Sequence, residues 1–272
     1  MNKVDLAYAF GLKPEKAIDY FKSKGYAFSW DWEEVWQEAH TKAFTVAKVL
    51  RMDILQDIRD GVQQALDNGI TFQEFRKTLE PTLRAKGWWG KQEHVDESTG
   101  EITDVQLGSP YRLRTIFDQN LQTAYNVGRY RSQMEMADVR PFWEYVAVMD
   151  ARTRPSHAAL NGRVFRADDP FWDSFYPPNG WRCRCRVRSL DGGDLKDGGL
   201  KLESSAGKIT SREELVSKKT GEMQPVAVFT ALDPISGKRV STAPDVGWSY
   251  NPGAVEWKPD MSKYSPEIKA LF

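Results

Sequence analysis

Cys183 and Cys185 are the only cysteines of the chain, and His157 is one of three histidines. Thiolates and neutral imidazole are good zinc ligands, and Asp150 offers a carboxylate at the head of the same stretch. A Cys-x-Cys pair is a weaker metal signal than two separated Cys-x2-Cys pairs, so three readings stand side by side. The first is a zinc site of Cys183, Cys185 and His157, with Asp150 as a fourth donor. The second is a polar core of two buried thiols, with His157 hydrogen-bonded to Asp150. The third is catalysis: a cysteine nucleophile, His157 as base and Asp150 as its orienter. Neighbouring Arg182, Arg184 and Arg186 would favour the thiolate. Asp150 and His157 among arginines also suit phosphodiester or ADP-ribosyl chemistry. The chain has no glycine-rich phosphate loop, G-x-S-x-G or H-E-x-x-H.

The charges around this stretch are unusual. The 272 residues carry 38 Lys+Arg and 38 Asp+Glu, a formal net charge of zero. Residues 151–190 hold 8 basic and 3 acidic residues, a local excess of +5. All 13 cations between 109 and 190 are arginine. Arginine is the cation of planar, bidentate contacts to carboxylate or phosphate. The block can therefore touch DNA, or pair internally with Asp150, Asp168, Asp169 and Asp173. Zero net charge argues against a dedicated nucleic-acid binder. One residue between the cysteines makes them a poor disulfide pair. The chain has no apolar run of about 18–20 residues for a membrane helix and no apolar N-terminal stretch for a secretory signal. These features predict a soluble, intracellular, globular protein.

The elements that must position these groups follow from periodicity. Pro14 suits the first turn of a helix carrying Ala17, Ile18 and Phe21, stopped by Gly25. A second helical pattern starts at Asp31 and runs through Val35, Trp36, Ala39, Ala43, Val46, Val49 and Leu50. It continues through Ile54, Ile58, Val62 and Leu66 to Asn68-Gly69, as one bent helix or two. Thr71 to Glu74 is a capping box opening a helix that Pro81 threatens and that ends by Gly87. Trp30, Trp32 and Trp36 lie at the base of this bundle. Residues 91–108 read as a polar hairpin with its tip at 97–101. Ser109-Pro110 starts a long helix to about Met136, with Asn120 and Asn126 read as solvent-facing. From Pro141 the period is two, giving a buried strand that ends at Asp150. Short strands follow at Val164-Phe165 and Val187, and Pro177-Pro178-Asn179-Gly180 is a turn. Residues 191–208 read as a surface loop, Ser211 to Glu214 as a helix start, and 226–232 as a strand. Trp248, Tyr250 and Trp257 predict a tail packed on the domain.

The fold class is thus α+β: a helical N-terminal region, then a mixed domain with a long helix and a small sheet. The expected divisions are a helical domain at 1–90, an exposed acidic hairpin or linker at 91–108, and the mixed domain at 109–272. Within the last, Asp150, Arg152, Arg154, His157, Cys183 and Cys185 are expected to tie the loop at 150–163 to the turn at 177–185.

Taken together, Asp150, Arg152, Thr153, Arg154 and His157, then Leu160 and Gly162, the turn with Pro178 and Gly180, and Cys183-Arg184-Cys185 resemble the Mu F-like family. Its members are phage minor head proteins, also called head morphogenesis proteins of tailed phages and prophages. Gly247 to Gly253, with Asn251 and Pro252, is similar to the family's closing motif. The helical region, with 44–47 and Gly87-Trp88, resembles the Mu-type subgroup. The resemblance covers most of the chain and is strongest at 111–190 and 245–258.

That resemblance implies a low-copy head component acting in procapsid assembly. The implied partners are the portal protein, the major capsid protein and/or a scaffold, met through the helical region. It implies location in the virion, and in host cytoplasm during assembly, with no membrane partner. Some family members stay in the head with DNA. Some carry a toxin or enzyme domain after the shared part. This chain ends soon after Gly253, which leaves no room for one, so no enzyme activity is expected.

Overall fold

The computed structural model describes residues 14–34, 38–95, 100, 102–218, 220–232 and 237–255. Val35, Trp36, Trp257 and most of the hairpin tip lie outside the described residues.

Helix α1, Glu15–Lys22, buries Ala17, Ile18, Tyr20 and Phe21. Pro14 stands at its N-cap rather than inside the first turn. The helical pattern from Asp31 breaks where a helix was expected. A 3-10 turn at Trp32–Glu34 and α2 at Glu38–Lys42 are short. β2 at Ala43–Phe44 is extended and pairs in parallel with β1 at Gly25–Tyr26. Phe44 is thereby fully buried against the edge of Phe21, 5.7 Å between centroids. Lys48 then turns the chain with φ +64°, and its carbonyl accepts from Trp88 Nε1 at 2.8 Å. Val46 and Val49 are buried from this loop. Buried extended residues thus mimicked a helical stripe.

Helix α3, Met52–Asn68, ends at Gly69 in the left-handed region. The Thr71–Glu74 capping box opens α4, Phe72–Ala85, as its sequence predicts. Pro81 is tolerated inside α4 on an exposed face. The hairpin forms from β3, Lys91–Val95, and β4, Ile102–Gln106. His94 of that hairpin stacks on Trp30, 3.9 Å between centroids. Ser109 caps α5, Pro110–Glu135, and Pro110 takes its first position. Twenty-six residues span about 39 Å.

Helix α5 is the spine. Its Leu113, Phe117, Ala124 and Val127 join a first core with α1, α3 and α4. At Gly128 a Cβ would sit 2.9 Å from the Ala17 backbone nitrogen, so only glycine lets α1 cross this closely. Tyr130 reaches a second core built on β5, Phe142–Val146. Short α6, Pro155–Ala158, β6, Val164–Arg166, and α7, Phe171–Phe175, follow. β7, Arg186–Leu190, then completes an antiparallel sheet of order β6-β5-β7. The strand from Phe142 stops at Val146 rather than Asp150, because Ala147 N–H turns to the side chain of Asn161 at 2.9 Å.

The 191–208 segment, read as a loop, contains α8, Gly192–Asp197, opened by an Asp191–Asp194 capping box. Ser211 to Glu214 is not a helix start. It lies in β8, Ile209–Leu215, paired along its whole length with β9, Met223–Leu232. The capping signature there is followed by no apolar helical face, and pairing wins. β10, Arg239–Thr242, closes this second sheet, whose Phe229 and Ala231 face the second core. The class is the expected α+β. Among the described residues no helix is long and apolar enough to cross a membrane.

Lys24 is buried and lines a cavity of about 230 Å³ with Trp32, His40, Trp181 and Trp248. Burial, then the charge of Arg59, pushes its pKa down to about 7. The unfolded lysine titrates near 10, so between about 7 and about 10 the unfolded chain binds more protons. Stability therefore rises with pH across that window. Urea unfolding at pH 7 and pH 9 should show that rise, and Lys24→Met should flatten it.

Candidate functional site

The informative stretch folds around a polar strip between α5 and β7. Among the described residues β7 pairs only with β5 and is an outer strand. Its free edge needs donors, since buried backbone groups are rarely left unpaired. Helix α5 supplies them from side chains. Gln122 Nε2 and Asn126 Nδ2 donate to the Cys185 carbonyl at 3.1 and 3.3 Å. Gln133 Nε2 donates to the Val187 carbonyl at 2.9 Å, while its Oε1 accepts from Tyr176 at 2.8 Å. Gln119 Oε1 accepts from Arg182 N–H at 2.8 Å. Asn126 is fully buried, not solvent-facing. Asn120 is half-buried and donates back to the Ile116 carbonyl at 2.9 Å. The amides at 119, 122 and 133 escape the sequence reading, and the one at 126 enters it only as a solvent-facing residue. Their spacing of three, four and seven residues was the available signal.

Asp150 does not approach His157. Arg184 grips its carboxylate twice, Nη1 to Oδ2 at 2.8 Å and Nη2 to Oδ1 at 2.5 Å. Arg152 N–H adds a bond at 3.0 Å. The Arg184 contact above all holds the Asp150 carboxyl well below the usual carboxylate range. Thr153 donates to the Val148 carbonyl and closes the loop. Arg152 keeps its side chain in solvent, with only a long 3.8 Å pair to Asp150. Arg154 reaches across to the Trp181 carbonyl at 2.9 Å and to Asp245 at 3.1 Å. Gly162, at φ +78°, hands its N–H to Tyr145 at 2.8 Å.

The turn is anchored from both sides. Pro178 and Gly180 are buried there. A Cβ on Gly180 would meet Asp245 Oδ2 at 2.2 Å, so the tail carboxylate can lie on this turn only if position 180 is glycine. Asn179 accepts from Tyr145 OH at 2.9 Å. The closing motif folds as Asn251 Oδ1 accepts from Gly253 N–H at 2.9 Å. Pro252 is buried beside it, and Gly253 lies against the Tyr130 ring of α5. Trp248 and Tyr250 are buried, as the packed tail requires.

His157, Cys183 and Cys185 do come together. All three are buried, and their ligand atoms lie within 4.8 Å of one another. His157 Nδ1 is 3.6 Å from each sulfur. Cys183, hydrogen-bonded to Cys185 and then to His157, gives up its proton more readily than an ordinary thiol. Cys185 is pushed the other way by the same Cys183 contact and by burial. The pair thus holds one thiolate readily and a second only with compensation. Such donors suit a soft or borderline metal or a thiolate–imidazole pair. Among the described residues no carboxylate joins them, as a Cys/His/Asp relay would require.

Two measurements check this account. Gln133→Leu strands the Val187 carbonyl and the Tyr176 hydroxyl, and should cost roughly 1–3 kcal/mol per stranded group by urea unfolding. The Asp150–Arg184 contribution is complete above about pH 4, the unfolded carboxylate pKa. It is lost as pH falls toward the lower folded value. Asp150→Asn should therefore lower the melting temperature at pH 6 and make it less sensitive to acid.

Comparison with known proteins adds to this geometry. Over 259 residues, 95% of the chain, it is 48% identical to a protein F of Escherichia phage Mu named for capsid assembly, covering 58% of that protein. It is 44% identical over 236 residues, 86% of the chain, to the Mu-like prophage FluMu F protein of Haemophilus influenzae, covering 55% of it. The chain thus spans little more than half the length of these curated relatives. No solved structure matches it. The sequence profile of the Phage Mu protein F like family matches residues 56–188, from α3 to β7 and so across the amide strip, the Asp150 loop and both cysteines. With that profile match and two such relatives, residues 56–188 form a Phage Mu protein F like region.

Proposed function

We propose that this chain acts in phage head assembly as a structural and interaction protein, not as an enzyme. The observation that carries the reading is 48% identity, over 95% of this chain, to a phage Mu protein named for capsid assembly. The geometry supports it. The polar residues of the informative stretch are spent on holding the fold: Asp150 on Arg184, Arg154 on Trp181 and Asp245, the α5 amides on Cys185 and Val187. Among the described residues no carboxylate joins the cluster of His157 with the two cysteines, so the catalytic reading lacks its third member there.

On this reading the partners are the portal protein, the major capsid protein and/or a scaffold, met through the helical region. The protein assembles in host cytoplasm and ends in the virion. DNA contact is the weaker reading. Seven of the arginines at 151–190 are ion-paired within the chain, at 152, 154, 163, 166, 182, 184 and 188. Their partners include Asp118, Glu144, Glu203 and Asp245, acids from outside the block.

The test is genetic and physical. In a phage or prophage encoding this chain, its gene is deleted, and procapsids are separated by sedimentation and probed for portal protein. Loss of normal procapsids, restored by supplying the chain in trans, is expected. Normal heads and normal titre in the deletion would refute the reading. Salt-sensitive binding of the purified chain to duplex DNA would shift it toward DNA contact.

A further inference from the structure

We propose that His157, Cys183 and Cys185 bind one zinc ion that ties the loop at 150–163 to the turn at 177–185. The donor set is the first argument. Two sulfurs and one imidazole nitrogen are zinc ligands by type, and their softness disfavours magnesium or calcium.

The distances are the second. A tetrahedral zinc with Zn–S about 2.3 Å and Zn–N about 2.0–2.1 Å holds nitrogen and sulfur about 3.6 Å apart. His157 Nδ1 stands 3.6 Å from Cys183 Sγ and 3.6 Å from Cys185 Sγ. All three donor atoms fit within 4.8 Å.

The orientation of the ring is the third. His157 is 3% exposed. Its Nδ1 faces two sulfurs, and its Nε2 is buried with no hydrogen-bond partner. Thiols are weak hydrogen-bond partners for a buried imidazole. A histidine placed for hydrogen bonding would turn a nitrogen to an oxygen. This one turns it to the point where both sulfurs converge.

The setting suits a staple. His157 sits on α6, and the cysteines lie just before and at the entry to β7. Among the described residues no backbone–backbone hydrogen bond joins those two segments, and the ion would tie them. Among the described residues no further His, Cys, Asp or Glu enters the cluster, and Asp150 is held by Arg184. Three protein donors therefore leave one position of the tetrahedron to a water molecule. Both cysteines bind as thiolates, so any proton still on sulfur is released to solvent, and affinity falls as pH is lowered. The inference does not rest on the head-assembly reading.

The test uses the full chain. Zinc is counted by elemental analysis after purification. The chelator-treated chain is then titrated with zinc alone and, separately, with cobalt alone. One zinc per chain is expected, and chelation should lower the melting temperature by roughly 5–10 °C. Cobalt should show the visible bands of a tetrahedral ion and a thiolate charge-transfer band. Cys185→Ser should weaken that band, and His157→Cys, which keeps a donor, should retain the metal. No bound zinc, an unchanged melting temperature and no thiolate band would overturn the proposal. A bound metal whose cobalt spectrum is unchanged in both Cys183→Ser and Cys185→Ser would overturn it equally. Should a variant fail to fold, the cobalt spectrum of the native chain decides on its own.

Discussion

The carbonyls of Cys185 and Val187 face a helix instead of another strand. That placement creates an outer strand with a buried edge, and side-chain amides of α5 answer it. Each amide can meet its carbonyl only at one rotation and one height of the helix. The demand for buried hydrogen bonds therefore sets the register of α5 against the sheet. Because α5 is also the spine of the first core, the same bonds set how the helical region meets the mixed one. Gln133 extends the constraint through Tyr176, whose ring packs on Tyr130 and Trp143. Gly253 brings the closing motif onto that same Tyr130.

The arginines work within this frame. Arg163 is the most buried of them, and its Nη1 reaches both Glu203 oxygens at 2.9 Å. Its Nη2 meets the Leu232 carbonyl at 2.6 Å, so one guanidinium joins the 160s loop to the second sheet. Removing one partner of such a buried pair costs far more than breaking an exposed one. Arg166–Asp168 is exposed, and pairs of that kind add little stability. Planar, fixed donors explain why this stretch uses arginine throughout.

Local chemistry made part of the fold legible. Ser109 and Pro110 start α5 because a hydroxyl acceptor and a residue without N–H suit a helix N-terminus wherever it lies. Thr71 and Glu74 open α4 for the same reason. The failures share another cause. Ala43 to Leu50 carries apolar residues at helical spacing, yet Phe44 is buried by pairing with β1 and packing on Phe21. Ser211 to Glu214 has the letters of a capping box, yet β9 offers that segment seven registered partners. Where a segment's own preference is weak, the distant partner decides.

The candidate site divides in the same way. Residue types alone determined that both cysteines and one of the three histidines share one stretch, that arginine is its only cation, and that a glycine-bearing turn precedes the cysteines. These are properties of covalent chemistry and survive any folding. Only the tertiary structure decided who pairs with whom. It gave Asp150 to Arg184, left His157 to the two sulfurs, and buried Asn126 under Cys185. It also spread the local +5 by bringing Asp118, Glu144, Glu203 and Asp245 to arginines far away in sequence. Such choices turn on distances of a few ångströms between residues many positions apart, and spacing along the chain carries no record of them.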